Sequence, residues 1–170
     1  MDRIIGIDYG RKRTGLAVSD PLGIFASALD TVHSANIVDY IKKYAENESV
    51  VRFVVGYPRN LDGSPSEAAA DVDVFLKVLA KNFPSVPVDL EDERFTSVLA
   101  HQAMIDGGMK ASRRHDKEEV DKISAAIILQ GWLDRRNGGG TSFAAGNVSV
   151  PENLSSSRGR SGGQRKKGRR

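Results

Sequence analysis

The chain has 170 residues, 39% hydrophobic and 28% charged, a composition that suits one globular domain with a core; no run approaches the roughly 18 consecutive apolar residues of a membrane span. It contains no cysteine, which excludes disulfides, thiolate metal ligands and cysteine nucleophiles, so any metal must be held by oxygen or imidazole. The net charge of +3 hides an asymmetry: residues 1–137 carry −3 and residues 138–170 carry +6, an acidic body with a basic tail.

Met1-Asp2-Arg3 runs directly into a strand pattern with no charged-then-apolar leader, which predicts a cytoplasmic protein. Arg3 to Tyr9 and Thr14 to Asp20 read as two strands of a hairpin around Gly10-Arg11-Lys12-Arg13, and Phe25 to Val32 as a third strand. Ile37, Tyr40, Ile41 and Tyr44 give helical spacing to Ala35–Glu48, with Ser34 as the expected N-cap. Val50 to Gly56 is almost wholly apolar, as in a strand covered on both faces. A loop from Tyr57 to Pro65 precedes a helix over Ser66–Asn82, a short strand over Val86–Leu90, a helix over Thr96–Asp106 that Gly107-Gly108 stops, and a final helix over Glu118–Arg136.

Three strands followed by alternating helices and strands imply an α/β domain: a five-stranded mixed sheet flanked by helices, its first three strands antiparallel and the last two added by right-handed crossovers. The expected domain is 1–136. Residues 137–170, rich in glycine and serine and then in arginine and lysine, have almost no apolar periodicity, so a disordered basic tail is expected, able to neutralise phosphates.

Three acids stand where a lone carboxylate is costly. Asp8 closes the apolar run Ile4-Ile5-Gly6-Ile7, one acid of the run Glu91-Asp92-Glu93 lies just past the fifth strand, and Asp121 lies near the start of the last helix. Ligand sites in such sheets gather beyond the carboxyl ends of the parallel strands, and Ser124-Ala125-Ala126 would let the last helix approach closely. Carboxylates converging from distant segments suit a hard divalent ion, Mg²⁺ or Mn²⁺, and metal-assisted phosphodiester hydrolysis, with Arg11, Lys12, Arg13 and Arg94 gripping flanking phosphates. Each acid also has a bland role: Asp8 could pair with Arg11, Glu91-Asp92-Glu93 could be a solvated charge run, and Asp121 could serve the first helical turn. His33, His101 and His115 have no metal-ligand spacing.

Four stretches together resemble the YqgF (RuvX) family: Gly6-Ile7-Asp8-Tyr9-Gly10-Arg11-Lys12-Arg13-Thr14-Gly15, Val55-Gly56-Tyr57-Pro58-Arg59-Asn60-Leu61-Asp62-Gly63, Glu91-Asp92-Glu93-Arg94-Phe95-Thr96 and Val120-Asp121-Lys122-Ile123-Ser124-Ala125-Ala126. The resemblance implies a ribonuclease H-like fold, Asp8, Glu93 and Asp121 as catalytic and metal-binding residues, and a substrate groove lined by the Pro58–Gly63 loop with Arg59 and Asn60. It implies a nuclease that processes the 5′ end of pre-16S rRNA, or a Holliday junction resolvase acting on branched DNA. Many members carry Leu where this chain has Tyr57, which a packing role or base stacking would explain. Two rival classes share the fold: an actin-like ATPase or sugar kinase, which needs two such domains, and a non-catalytic nucleic-acid-binding module. No motif encodes the oligomeric state.

Overall fold

The structure is a computed structural model and describes residues 1–94 and 96–138. Five strands, β1 (Asp2–Tyr9), β2 (Arg13–Ser19), β3 (Ala26–His33), β4 (Ser49–Tyr57) and β5 (Val88–Asp92), form one sheet in the order β3-β2-β1-β4-β5. β1 pairs antiparallel with β2 and parallel with β4; β2–β3 is antiparallel and β4–β5 parallel. This is the predicted ribonuclease H-like mixed sheet. Hairpin turns suffice for the antiparallel pairs, whereas the parallel pairs need the crossover helices α1 (Ile37–Ala45) and α2 (Ala69–Asn82). The chain then adds α3 (Thr96–Asp106), α4 (Ala111–Arg114) and α5 (Lys117–Arg136).

Strand alternation divides the core in two. Ile5, Ile7, Leu16, Phe53 and Val55 point to one face and pack with Ile37 and Ile41 of α1 and Val72, Phe75 and Leu79 of α2. Ile4, Ala17 and Val54 point to the other and pack under α5 through Ala125, Ile128, Leu129 and Leu133. By the same alternation Asp8, Gly15, Gly56 and Glu91 belong to the α5 face.

Three expectations change. Ser34 does not cap α1: it is buried, its Oγ donating to the Gly10 carbonyl at 2.5 Å and bonding Thr14 Oγ1 at 2.8 Å, and a 3-10 turn over Ser34–Asn36 precedes the helix. The helix α4 was not predicted, because four residues in a polar, basic stretch show no periodicity. Asn137, assigned to the tail from sequence, closes α5 by bonding the Leu133 carbonyl at 2.9 Å and donates its side-chain amide to the Gly23 carbonyl at 2.9 Å. The remaining tail, 139–170, lies outside the described residues. Among the described residues no helix is long and apolar enough to cross a membrane.

Candidate active site

Two glycines prepare the place that Asp8 occupies. Asp8 pairs in register with Gly15 of β2, and a Cβ on Gly15 would lie 2.0 Å from the Asp121 carbonyl oxygen. Only a residue without a side chain lets α5 cross the sheet here, so Gly15 fixes how near Asp121 comes to the strand ends. On β4, a Cβ on Gly56 would lie 2.5 Å from Glu93 Oε2 and 2.6 Å from Ile128 Cδ1, so the space it leaves is filled by the Glu93 carboxyl. The chain brings Glu93 there by a backbone bond from its N–H to the Tyr57 carbonyl at 3.4 Å, directly after β5 ends.

Asp8 and Glu93 lie close enough that each alters the titration of the other. Desolvation is the main cause of both shifts, raising the Asp8 carboxyl to about 6 and, with the neighbouring Asp8 charge, the Glu93 carboxyl to about 8. Their interaction pulls Asp8 down and pushes Glu93 up, on top of the burial that raises both. Neither residue is sealed; both keep partial solvent exposure. Among the described residues no cation forms an ion pair with either.

Asp121 is close enough for its charge to raise the Asp8 carboxyl further, but its Oδ2 accepts from Arg13 Nε at 2.8 Å. Accordingly, among the described residues no group of three or more His, Cys, Asp or Glu is spaced to hold a metal ion. The structure thus joins two of the three acids and leaves the third beside them on an arginine. Two desolvated carboxyls facing one another form a set of hard oxygen donors in need of a cation, so their chemistry fits Mg²⁺ or Mn²⁺, with Asp121 fitting once released from Arg13.

The neighbouring acids of the run have separate fates. Glu91 is buried and held by both terminal nitrogens of Arg135, and a Cβ on Gly131 would lie 3.4 Å from its Oε1. Asp92 accepts from the Arg94 backbone N–H at 3.0 Å and from its Nε at 2.8 Å. Periodicity cannot reveal a partner 44 residues away, so the Glu91–Arg135 pair was invisible in the sequence.

Most of the expected phosphate-gripping residues are engaged within the protein. Arg11 pairs with Asp71 at 2.7 Å, not with Asp8; Arg13 pairs with Asp121 and Arg94 with Asp92. Arg59 donates to the Gly63 carbonyl at 2.7 Å and lies 5.4 Å from the Tyr57 ring centre, while the Asn60 amide bonds Ser64 Oγ at 3.0 Å. Arg59 and Asn60 therefore shape the 57–65 loop. Tyr57 reaches Asp73 of α2 with its hydroxyl at 3.2 Å and packs on the α2-side core, which favours the packing role. Lys12 is exposed and forms no ion pair among the described residues. A cleft of about 750 Å³ lined by Tyr9, Gly10, Arg11, Ser66 and Asp71 opens at the same end of β1 on the α2 side, where Tyr9 stacks on Phe75.

A family model described as "RuvX: Holliday junction resolvase" matches residues 2–135. The chain belongs to the RuvX family. Curated RuvX-like relatives include a protein of Phocaeicola vulgatus, 50% identical over 136 residues, covering 80% of this chain and 98% of its own length. Another, from Christiangramia forsetii, is 49% identical over 133 residues, covering 78% of this chain and 98% of its own. Both carry the name "Putative pre-16S rRNA nuclease". Among solved structures, Thermus thermophilus RuvC in complex with a Holliday junction substrate superposes with a TM-score of 0.50 at 17% identity, covering 81% of this chain and 97% of that one. That likeness establishes the shared fold.

Proposed function

We propose that this RuvX-family protein is a metal-dependent nuclease of the cytoplasm that cleaves phosphodiester bonds, with precursor 16S rRNA as substrate and the 5′ end as the site of processing. The observation that carries the reading is the Asp8–Glu93 contact: two desolvated carboxyls joined at the carboxyl ends of the parallel strands, with a third, Asp121, beside them. Asp8 and Glu93, joined by Asp121, would hold Mg²⁺ or Mn²⁺. When bound, such ions polarise the phosphoryl oxygen and make a hydroxide nucleophile available near neutral pH. The pre-16S rRNA substrate rests on the names of the relatives that share about half their residues with this chain.

The chain's own groups prepare that chemistry. Gly15 and Gly56 set the spacing of the acids, Arg13 holds the Asp121 carboxylate in its present position, and Lys12, without an ion pair among the described residues, offers a positive charge at the hairpin tip. Among the described residues no side chain at these strand ends has the setting of an activated nucleophile, so the proposed reaction needs no covalent protein intermediate.

A second reading, resolution of four-way DNA junctions, is favoured by the description of the family model. Labelled precursor rRNA and a labelled four-way junction, incubated in parallel with and without Mg²⁺, separate the two. Mg²⁺-dependent shortening of the RNA at its 5′ end is the expected result. Cleavage of the junction alone would transfer the assignment to the second reading, and cleavage of neither would leave a binding module.

A further inference from the structure

The cations nearest the proposed metal site are largely neutralised by the protein's own acids, yet the connection between α3 and α5 gathers others that are not. Residues 107–117, Gly-Gly-Met-Lys-Ala-Ser-Arg-Arg-His-Asp-Lys, contain Lys110, Arg113, Arg114 and Lys117 against one acid, Asp116. The Asp116 carboxylate is occupied by capping α5, accepting from the Glu118 N–H at 3.0 Å. Arg113 alone of the four forms an ion pair among the described residues, a 3.2 Å contact to Glu119 that Lys122 shares. Arg114 is only partly exposed, and its Nε is buried with no hydrogen-bond partner among the described residues.

The segment is held in a defined shape. At the end of α3, Gly108 has φ +71°, its N–H bonds the Ile105 carbonyl at 3.0 Å, and the Met109 N–H reaches the Met104 carbonyl at 3.0 Å. This is a Schellman closure, which fixes the direction in which the chain leaves the helix. Beyond it a concavity of about 420 Å³ is lined by Gly107, Gly108, Met109, Lys110 and Arg113. At one end, Lys117 stands one helical turn, roughly 6 Å, from Asp121; at the other, the closure lies about 16 Å along α3 from the Glu93 side. The basic segment therefore joins the start of α5, one helical turn from Asp121, to the far end of α3.

We propose that the α3–α5 connection, through Lys110, Arg114 and Lys117, is a binding site for the phosphate backbone of the nucleic-acid strand flanking the cleaved bond. The assignment rests on the nuclease reading for the identity of the ligand, but not on cleavage. Phosphate contacts fix register and orientation without reading sequence, so this site sets where along the strand the acids act.

The test is a binding titration across salt, using single-stranded RNA and the full chain. A triple variant, Lys110→Gln, Arg114→Gln and Lys117→Gln, is compared with a control of equal charge loss on the opposite face, Lys42→Gln, Lys43→Gln and Lys77→Gln. The triple variant is expected to bind roughly an order of magnitude more weakly at low salt, with the slope of log K against log salt shallower by roughly 0.7 for each phosphate no longer neutralised. In cleavage, KM rises and kcat at saturation holds. The charge-conserving variant Lys110→Arg, Arg114→Lys and Lys117→Arg restores binding, which separates missing charge from failure to fold. Equal affinity and slope in the triple variant and the control would overturn the proposal. Binding that behaves as expected in a protein that cleaves nothing would keep the phosphate site while removing the nuclease reading.

Discussion

The two faces of the central sheet are made from the same strands and differ in what they bury. Toward α1 and α2 the strands present Ile5, Ile7, Leu16, Phe53 and Val55, a continuous apolar layer. Toward α5 they present Ile4 and Val54 at one end, then Gly6, Gly15, Gly56, Asp8 and Glu91 as the carboxyl ends of the parallel strands are approached. Alternation thus lets one face supply stability while the other accommodates groups that oppose it. Placing carboxyls beside one another under a helix costs free energy, which the apolar layer offsets from about 10 Å or less away through the same backbone.

The difference is sharpest in substitutions of similar size on opposite faces. Phe53→Ala, at a fully buried position on the apolar face, is expected to lower unfolding free energy by about 3–5 kcal/mol while the molecules that stay folded keep their activity per site. Chemical denaturation and active-site titration measure the two halves of that statement. Loss of activity in the folded fraction would mean the faces are coupled. On the other face, Asp8→Asn should reduce Mg²⁺-dependent cleavage roughly 10²–10³-fold, the several kcal/mol that a metal site supplies. Its melting temperature without metal should equal or exceed that of the wild type, since the swap removes a charge from a desolvated pair. A clear fall in melting temperature would show that Asp8 stabilises the fold.

Gly56→Ala tests whether the empty space on the α5 face matters. The added methyl would contact Glu93 and Ile128, with an expected cost of about 1–3 kcal/mol and a loss of cleavage larger than the loss of stability accounts for, because the Glu93 carboxyl must move. Wild-type activity in that variant would show that Glu93 tolerates displacement.

The smallest effect expected is on pH dependence in the absence of metal. Asp8 and Glu93 titrate higher in the folded protein than in the unfolded chain, so between about pH 4 and pH 8 the folded state holds more protons. Their contribution therefore makes stability fall as pH rises through that window, with no cost from the pair below the unfolded values and the full cost above about 8. Melting curves at several pH values should show this decline flattened in Asp8→Asn. Mg²⁺ added at pH 8 should raise the wild-type melting temperature and leave the variant unmoved.

Local chemistry made most of this architecture readable. The apolar run of β4, the hairpin glycine between β1 and β2, and Gly107-Gly108 after α3 each act within a few residues, and those elements lie close to their predicted positions. Asp8 was legible because a carboxylate after a buried strand conflicts with burial, whereas only the family resemblance singled out Glu93 from the run Glu91-Asp92-Glu93. Features that depend on contacts between distant segments were hidden: Arg135 on Glu91, Asp71 on Arg11, and Arg13 on Asp121. The sequence shows where charges are but not which of them neutralise each other, so Arg11, Arg13 and Arg94 looked available when they are paired. Gly56 was missed although it interrupts an apolar strand, because the carboxyl that fills its space comes from 37 residues further on.

The run of α5 has a consequence for the end of the chain. The helix starts beside the acids, where the Glu118 carbonyl accepts from Thr31 Oγ1, and finishes at the opposite margin of the sheet, where Asn137 is tied to Gly23. From Asp121 to Asn137 is 16 helical steps, or about 24 Å. The described chain therefore ends at Gly138, on the margin of the sheet remote from Asp8 and Glu93.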